Sequence, residues 1–323
     1  MRLGRRGTAV MAAALAAPAS LRADQAITLV VPFTRGGSAD ITARTLATHT
    51  RRLLPELARL TVENRPGASG AAGTLSVARA VPDGRTLLLA RVGSSAILPA
   101  TDSRTPFAWD DFTFLGLLDE NPYLIAVRAD APWTDLAALT TGLRETPGGL
   151  RFATSGPATI LDLGIRQFFV SAGLELDAGT AVALRGGGEA VTALLEGQVE
   201  FLGSNLPELL APLRDGRLRA LAVSGTTPLP GALAGVPLMS AAGHPALEGL
   251  LGWSALAGPP GLPPQVLTLW AETLTRLADD AAWREETISH GSRPRVLDGA
   301  AARAFIGEQV DMYRALARRL GLA

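Results

Sequence analysis

The chain contains no cysteine and no lysine, only three histidines, and 5% aromatic residues in 323. Without a thiol there is no disulfide, no cysteine-ligated zinc or iron–sulfur centre and no cysteine nucleophile. Without lysine, all thirty basic residues are arginine, which excludes Schiff-base chemistry, the phosphate-binding lysine of a P-loop and a Ser-Lys dyad. His49, His244 and His290 are far apart, and neither an H-E-x-x-H pair nor an EF-hand loop occurs, so no metal site and no cofactor is expected. All three histidines read as surface or helix-end residues. A G-x-S-x-G elbow is also missing, so no nucleophile and base can be assigned and an enzyme is not expected. Thirty arginines offset thirty acidic residues, leaving no basic field to attract nucleic acid. No apolar run reaches the ~18 residues that a membrane-spanning helix requires.

What is present describes an exported, folded chain. Residues 1–23 carry Arg2, Arg5 and Arg6, then an apolar run from Thr8 to Ala17, then small residues up to Ala19 and Ala23. This is the pattern of a secretory signal peptide cleaved near Ala19 or Ala23. The Arg5-Arg6 pair leaves Sec and twin-arginine export both open. Cleavage after Ala23 removes four arginines and no acidic residue, leaving 26 against 30 and a net charge of −4. With 47% hydrophobic and 19% charged residues, and about 150 residues per domain, the chain should fold as two domains.

Short apolar runs at Ile27–Val31, Thr86–Ala90, Leu124–Val127, Arg151–Ala153 and Leu218–Val223 alternate with segments of helical period. Such alternation predicts an α/β chain with largely parallel sheets. A helix is expected over Asp40–Leu54 with Ser38 as its N-cap, and further helices open at Thr159 and Gly188. Pro263–Leu320 reads as helices broken near Asp279 and at Gly291–Pro294. The run Gly67-Ala68-Ser69-Gly70-Ala71-Ala72-Gly73 lacks both G-x-G-x-x-G spacing and a P-loop lysine; it reads as a turn opening a closely packed, small-residue helix.

Three strand-to-helix turns could hold an anion, because a helix N-terminus offers free N–H groups and the positive dipole end. The first is Phe33-Thr34-Arg35-Gly36-Gly37-Ser38-Ala39-Asp40. Here an ordinary βα turn is as good a reading as a carboxylate site, and Asp40 could compensate the helix dipole or contact a ligand. The second is Ser155-Gly156-Pro157-Ala158-Thr159, where a plain cap by Thr159 is the competing reading. In the third, Arg185-Gly186-Gly187-Gly188, Arg185 could pair bidentately with a carboxylate.

Several motifs together resemble a known family. They are Val31-Pro32-Phe33 with Gly36-Gly37 and Asp40, Ala43-Arg44, Val62-Glu63-Asn64-Arg65-Pro66-Gly67-Ala68, and Pro82-Asp83-Gly84 before Thr86-Leu87-Leu88. Asp215-Gly216, Leu218–Val223, Gly235-Val236-Pro237 and Ala257–Pro263 extend the match over the whole mature chain. In these the chain is similar to the Bug family of periplasmic solute-binding proteins, the receptors of tripartite tricarboxylate transporters. The resemblance implies a type II periplasmic-binding-protein fold, with two α/β lobes joined by crossing strands around a ligand cleft. Residues 24–122 and 246–323 would form lobe 1, and 123–245 lobe 2. A small di- or tricarboxylate, aromatic carboxylate or amino acid would be enclosed and delivered to a membrane permease, by a monomer in the periplasm. The alternative is a sensing protein that presents its closed form to a membrane kinase.

By position, the resemblance implies ligand contacts from Phe33, Thr34, Arg35, Gly37, Ser38 and Asp40 in one lobe. The other lobe would contribute Ser155, Gly156, Ala158, Thr159 and Arg185. Four positions depart from the family pattern: Arg35 fills a loop position that is commonly small or proline, Asp162 stands where a histidine is often found, Leu184 replaces a tyrosine beside Arg185, and Ala241 replaces an acidic residue before Gly243.

Overall fold

The computed structural model describes residues 26–53, 59–157 and 159–321. The expected signal peptide and Ala158 lie outside these. Two sheets meet along a shared strand. The first is built on β1 (Ala26–Val31), β2 (Arg59–Asn64), β3 (Thr86–Arg91), β9 (Leu251–Gly258) and β10 (Arg293–Asp298). The second holds β5 (Leu150–Thr154), β6 (Gly179–Ala183), β7 (Phe201–Asn205) and β8 (Leu218–Val223). The shared strand is β4, Thr113–Arg128, whose 16 residues run through both sheets. Its first half pairs with β9 from Thr113↔Gly258 to Pro122↔Leu251, and also with β10. From Tyr123 onward it pairs with β7 and β8.

The expectation of largely parallel sheets is corrected. β1, β2 and β3 are parallel, as are β5 with β6 and with β7, but β3·β9 and every pairing of β4 are antiparallel. The chain passes from one sheet to the other along β4 and returns after β8, so the strands at the junction must run against their neighbours. Mixed sheets built on βαβ units commonly carry such strands.

The pleat sends alternate residues to opposite sides of the first sheet. Ile27, Leu29 and Val31 of β1 and Leu87 and Leu89 of β3 pack into one cluster with Ala43 and Leu46, Trp270 and Leu274, and Trp283. Those come from α1 (Ser38–Leu53), α8 (Pro264–Asp279) and α9 (Ala281–Ser289). Val30, Leu88 and Ala90 point the other way, into a core shared with α2 (Ala71–Ala78), α3 (Leu98–Thr101), α4 (Leu136–Glu145) and α10 (Gly299–Arg319). That core continues along β4 into the second lobe, where Phe152, Phe168, Phe169 and Phe201 fill the space between β5, β7 and α5 (Ile160–Ser171). Both faces of each sheet are covered, which explains the continuous rather than alternating apolar runs in sequence.

Two histidines are buried, against expectation. His49 lies within α1, and its Nε2 is 2.7 Å from Glu286 Oε2 while Thr45 donates to Oε1 of the same carboxylate at 3.0 Å, tying α1 to α9. His244 is 8% exposed, with Nδ1 at 3.0 Å from Ser171 Oγ and the Phe168 ring edge-on at 5.2 Å. Burial holds His244 below the ordinary histidine value of 6.5. The folded state therefore favours neutral imidazole, a contribution present above that value and lost as the pH falls through the depressed one. Thermal unfolding measured from about pH 7.5 to about pH 5.5 should show a loss of a few degrees, and His244→Gln should show a smaller one.

Candidate functional site

The predicted β1–α1 turn is anchored from within. Gly36 takes a φ of 85°, and its N–H donates to Asp40 Oδ2 at 2.9 Å. Arg44 Nε and Nη2 donate to the two oxygens of Asp40, both at 2.9 Å, and Asn64 Nδ2 donates to Oδ1 at 3.1 Å. Burial alone would raise the Asp40 carboxyl, but these bonds outweigh it and hold the group below its usual range. Asn64 also donates to the Phe33 carbonyl at 3.1 Å, so the end of β2 fixes the loop. Asp40 thus turns inward, while Thr34 and Arg35 are exposed and Phe33 and Gly37 half-buried.

α2 supports this loop from behind, as the small-residue reading of Gly67–Gly73 anticipated. A Cβ on Gly73 would lie 2.6 Å from the Arg65 carbonyl and 2.9 Å from Pro32 Cα. At Gly70 (φ 93°) a Cβ would meet Ser94 Cβ at 2.7 Å and the Phe33 ring at 3.1 Å. The turns after β1, β2 and β3 are therefore packed directly against one another. Ser94 and Ser95, in the turn following β3, are fully buried.

Ser38 is the first residue of α1 rather than its cap, and its hydroxyl is used elsewhere. It accepts from Arg91 Nη2 at 3.0 Å and donates to Glu208 Oε1 at 3.4 Å. Arg91, the last residue of β3, is 4% exposed. Its Nη1 donates to Ser254 Oγ at 2.5 Å, and the Ser254 hydroxyl donates to Asp119 Oδ1 at 2.7 Å. Asp119 accepts further bonds from Asn121 (2.8 Å) and Thr42 (3.1 Å). One guanidinium is thus linked through two serine hydroxyls to two carboxylates: Asp119 in its own lobe and, across the cleft, Glu208 in α7 (Leu206–Arg214). Only two of its five N–H groups are engaged in these bonds, and it makes no direct ion pair among the described residues. Burial pulls Arg91 down and pushes Asp119 and Glu208 up, each opposed by the charge of the other sign.

On the second lobe, Gly156 (φ 106°) donates its N–H to Thr154 Oγ1 at 3.2 Å, and its carbonyl accepts from Thr154 and Thr159 hydroxyls at 2.9 and 2.8 Å. Thr159 therefore precedes α5 without capping it through its side chain. Ser155 and Thr159 remain half-buried. Asp162 is buried and paired with Arg166 at 2.9 Å on the same helix. Arg185 is not drawn toward the other loops: its side chain is 88% exposed and pairs with Glu189 of α6 (Gly187–Leu195) at 2.7 Å.

Arg91, Asp119, Glu208 and Ser254 were not picked out from sequence. Their signal was a charge ending the run Leu87-Leu88-Leu89-Ala90 and another following Leu117-Leu118, since charges are almost never buried unless paired.

Two α/β lobes sharing a long strand define a type II solute-binding fold. Residues 42–322 match the tripartite tricarboxylate transporter family receptor, and the chain belongs to that family of periplasmic receptors, the Bug proteins. It is 30% identical to Protein BugT of Bordetella pertussis over 98% of this chain and 96% of that one. Among solved structures, a periplasmic transporter superposes with a TM-score of 0.86 at 29% identity, covering 92% of this chain and 98% of that one. An adipate-bound protein of Rhodopseudomonas palustris superposes with a TM-score of 0.85 at 26% identity, covering 92% and 97%. The role of the chain is that of a solute-binding receptor.

Proposed function

We propose that this receptor captures a small carboxylate between its lobes and delivers it to a tripartite tricarboxylate-type permease, without chemical conversion. The observation that carries the reading is Arg91, a buried guanidinium at the floor of the cleft with N–H groups to spare, beside the first turn of α1. A ligand carboxylate set against Ser38 would receive charge-assisted bonds from Arg91 and backbone N–H groups at a positive helix end. Phe33, Thr34, Arg35 and Gly37 would border it in lobe 1, taken as 24–122 and 246–323. Ser155, Gly156, Ala158 and Thr159 would close over it from lobe 2, taken as 123–245. Asp40 would serve by holding the first loop rather than by touching ligand, and Arg185 would guide an anion from the rim. The bound adipate of the relative supports a carboxylate ligand. The receptor would act as a monomer in the periplasm after removal of residues 1–23. Ligand contacts to both lobes would favour the closed state.

A thermal-shift screen of residues 24–323 against carboxylates and amino acids, with uncharged sugars as controls, tests this. A ligand at a hundredfold excess over its Kd should stabilise the fold by about 2.7 kcal/mol. Saturable shifts confined to carboxylates are expected. Shifts with sugars alone, or none with any carboxylate after removal of co-purified ligand, would overturn the reading.

A further inference from the structure

Glu208 is the charged group of the cleft that a carboxylate ligand does not explain. It lies in the first turn of α7, reaches across to Ser38 of the opposite lobe, and still keeps part of its surface open to water. The fold makes room for its carboxylate. A Cβ on Gly187 would lie only 2.1 to 2.5 Å from the carboxylate atoms, so the glycine start of α6 is shaped around them. Its hydrogen-bond partners are the hydroxyls of Ser204 and Ser38, and neither carries charge.

Arg91 does not neutralise Glu208 alone, because its other serine relay ends on Asp119. Two other acidic residues of this lobe are paired on their own helices: Asp162 with Arg166, and Glu189 with Arg185. One guanidinium is therefore shared between two carboxylates, reaching each through a serine hydroxyl. Closing the lobes on a dianion would press like charges together in a region largely shielded from water. A ligand that brings a cation with its carboxylate removes that conflict.

We infer that Glu208 binds a ligand ammonium group, so that the cleft selects an α-amino carboxylate over the same skeleton without nitrogen. The inference rests on the carboxylate reading above: the ligand carboxylate lies toward Arg91 and α1 in one lobe and its ammonium toward Glu208 in the other. A zwitterion then ties the two lobes together through opposite charges.

Binding calorimetry on residues 24–323 with matched pairs tests this: succinate and aspartate, glutarate and glutamate, propionate and alanine, isocaproate and leucine, hydrocinnamate and phenylalanine. In whichever pair binds, the amino member should bind about tenfold or more tightly than its partner. Glu208→Gln should abolish that preference. Equal binding of both members by the unaltered protein overturns the inference and leaves the carboxylate reading standing, and this comparison needs no variant. A preference that survives in a folded Glu208→Gln protein also overturns it. Failure of every acid, with and without nitrogen, overturns the carboxylate reading and the inference with it.

Discussion

Arg91→Ala is expected to lower the unfolding free energy by about 3 to 5 kcal/mol, measured by urea unfolding at neutral pH, the range seen when one partner of a buried charge network is removed. The substitution deletes the cation that Ser38 and Ser254 face and leaves Asp119 and Glu208 with no compensating charge at the cleft floor. Lost packing would contribute less, because the arginine works mainly through its hydrogen-bonding head. Arg91→Lys should fall between, since one ammonium on a flexible stem cannot span two serines as the planar fork does. Adding Asp119→Asn to Arg91→Ala should cost less than Asp119→Asn costs alone, because the charge it removes is no longer balanced. Should Arg91→Ala prove as stable as the parent chain, the two carboxylates would have to be protonated in the native state, and the relay would not be a charge network.

The second large effect is expected at Gly73. Alanine there would place Cβ 2.6 Å from the Arg65 carbonyl and 2.9 Å from Pro32 Cα, and both are backbone atoms that cannot rotate aside. Glycine-to-alanine within a helix normally gains stability, since glycine weakens a helix by about 1 kcal/mol relative to alanine. Here the sign should reverse, with a net loss of about 1 to 3 kcal/mol from overpacking. The functional consequence should be larger than the stability figure suggests. Relief of the clash moves α2 away from Pro32, and Pro32 begins the loop that carries Phe33 to Ser38. Carboxylate affinity should therefore drop in Gly73→Ala even where the protein remains folded, as calorimetry on the variant would show. Gly187→Ala offers the contrast: its Cβ meets the end of the Glu208 side chain, which can shift, so stability should change little.

Much of the scaffold around the cleft was legible in sequence because its determinants are local. The β-branched run at Ile27–Val31, the Gly36-Gly37 turn and the helix after it are set by neighbours within a few residues. The same holds for α5 opening after Thr159 and for the small-residue helix after Gly70. The motif blocks at Asn64–Gly67 and Pro82–Gly84 tied these pieces to one family. Of β4, however, only Leu124–Val127 was visible as a strand. Asp119, Glu120, Asn121 and Pro122 interrupt the apolar pattern that marks a buried strand, and their extended conformation comes from pairing with β9, more than a hundred residues further along. β7 and β10 were likewise not expected, being short segments whose strand state depends on partners in β4.

The amino-acid sequence alone therefore determined the absence of thiol and lysine chemistry, the α/β class and the family. Tertiary structure decided which charges are buried together. A charged residue in an apolar run reads as a strand end or an error of pattern until its partners are known, and here those partners are remote. Arg91 is stabilised by Ser38, 53 residues before it, and by Ser254, 163 residues after it. Burial of a charge costs several kcal/mol in isolation and becomes tolerable only when opposite charge and hydrogen bonds converge on it. That convergence is a property of the folded chain, and it brought Glu208, unremarked in the sequence, to the hydroxyl of Ser38.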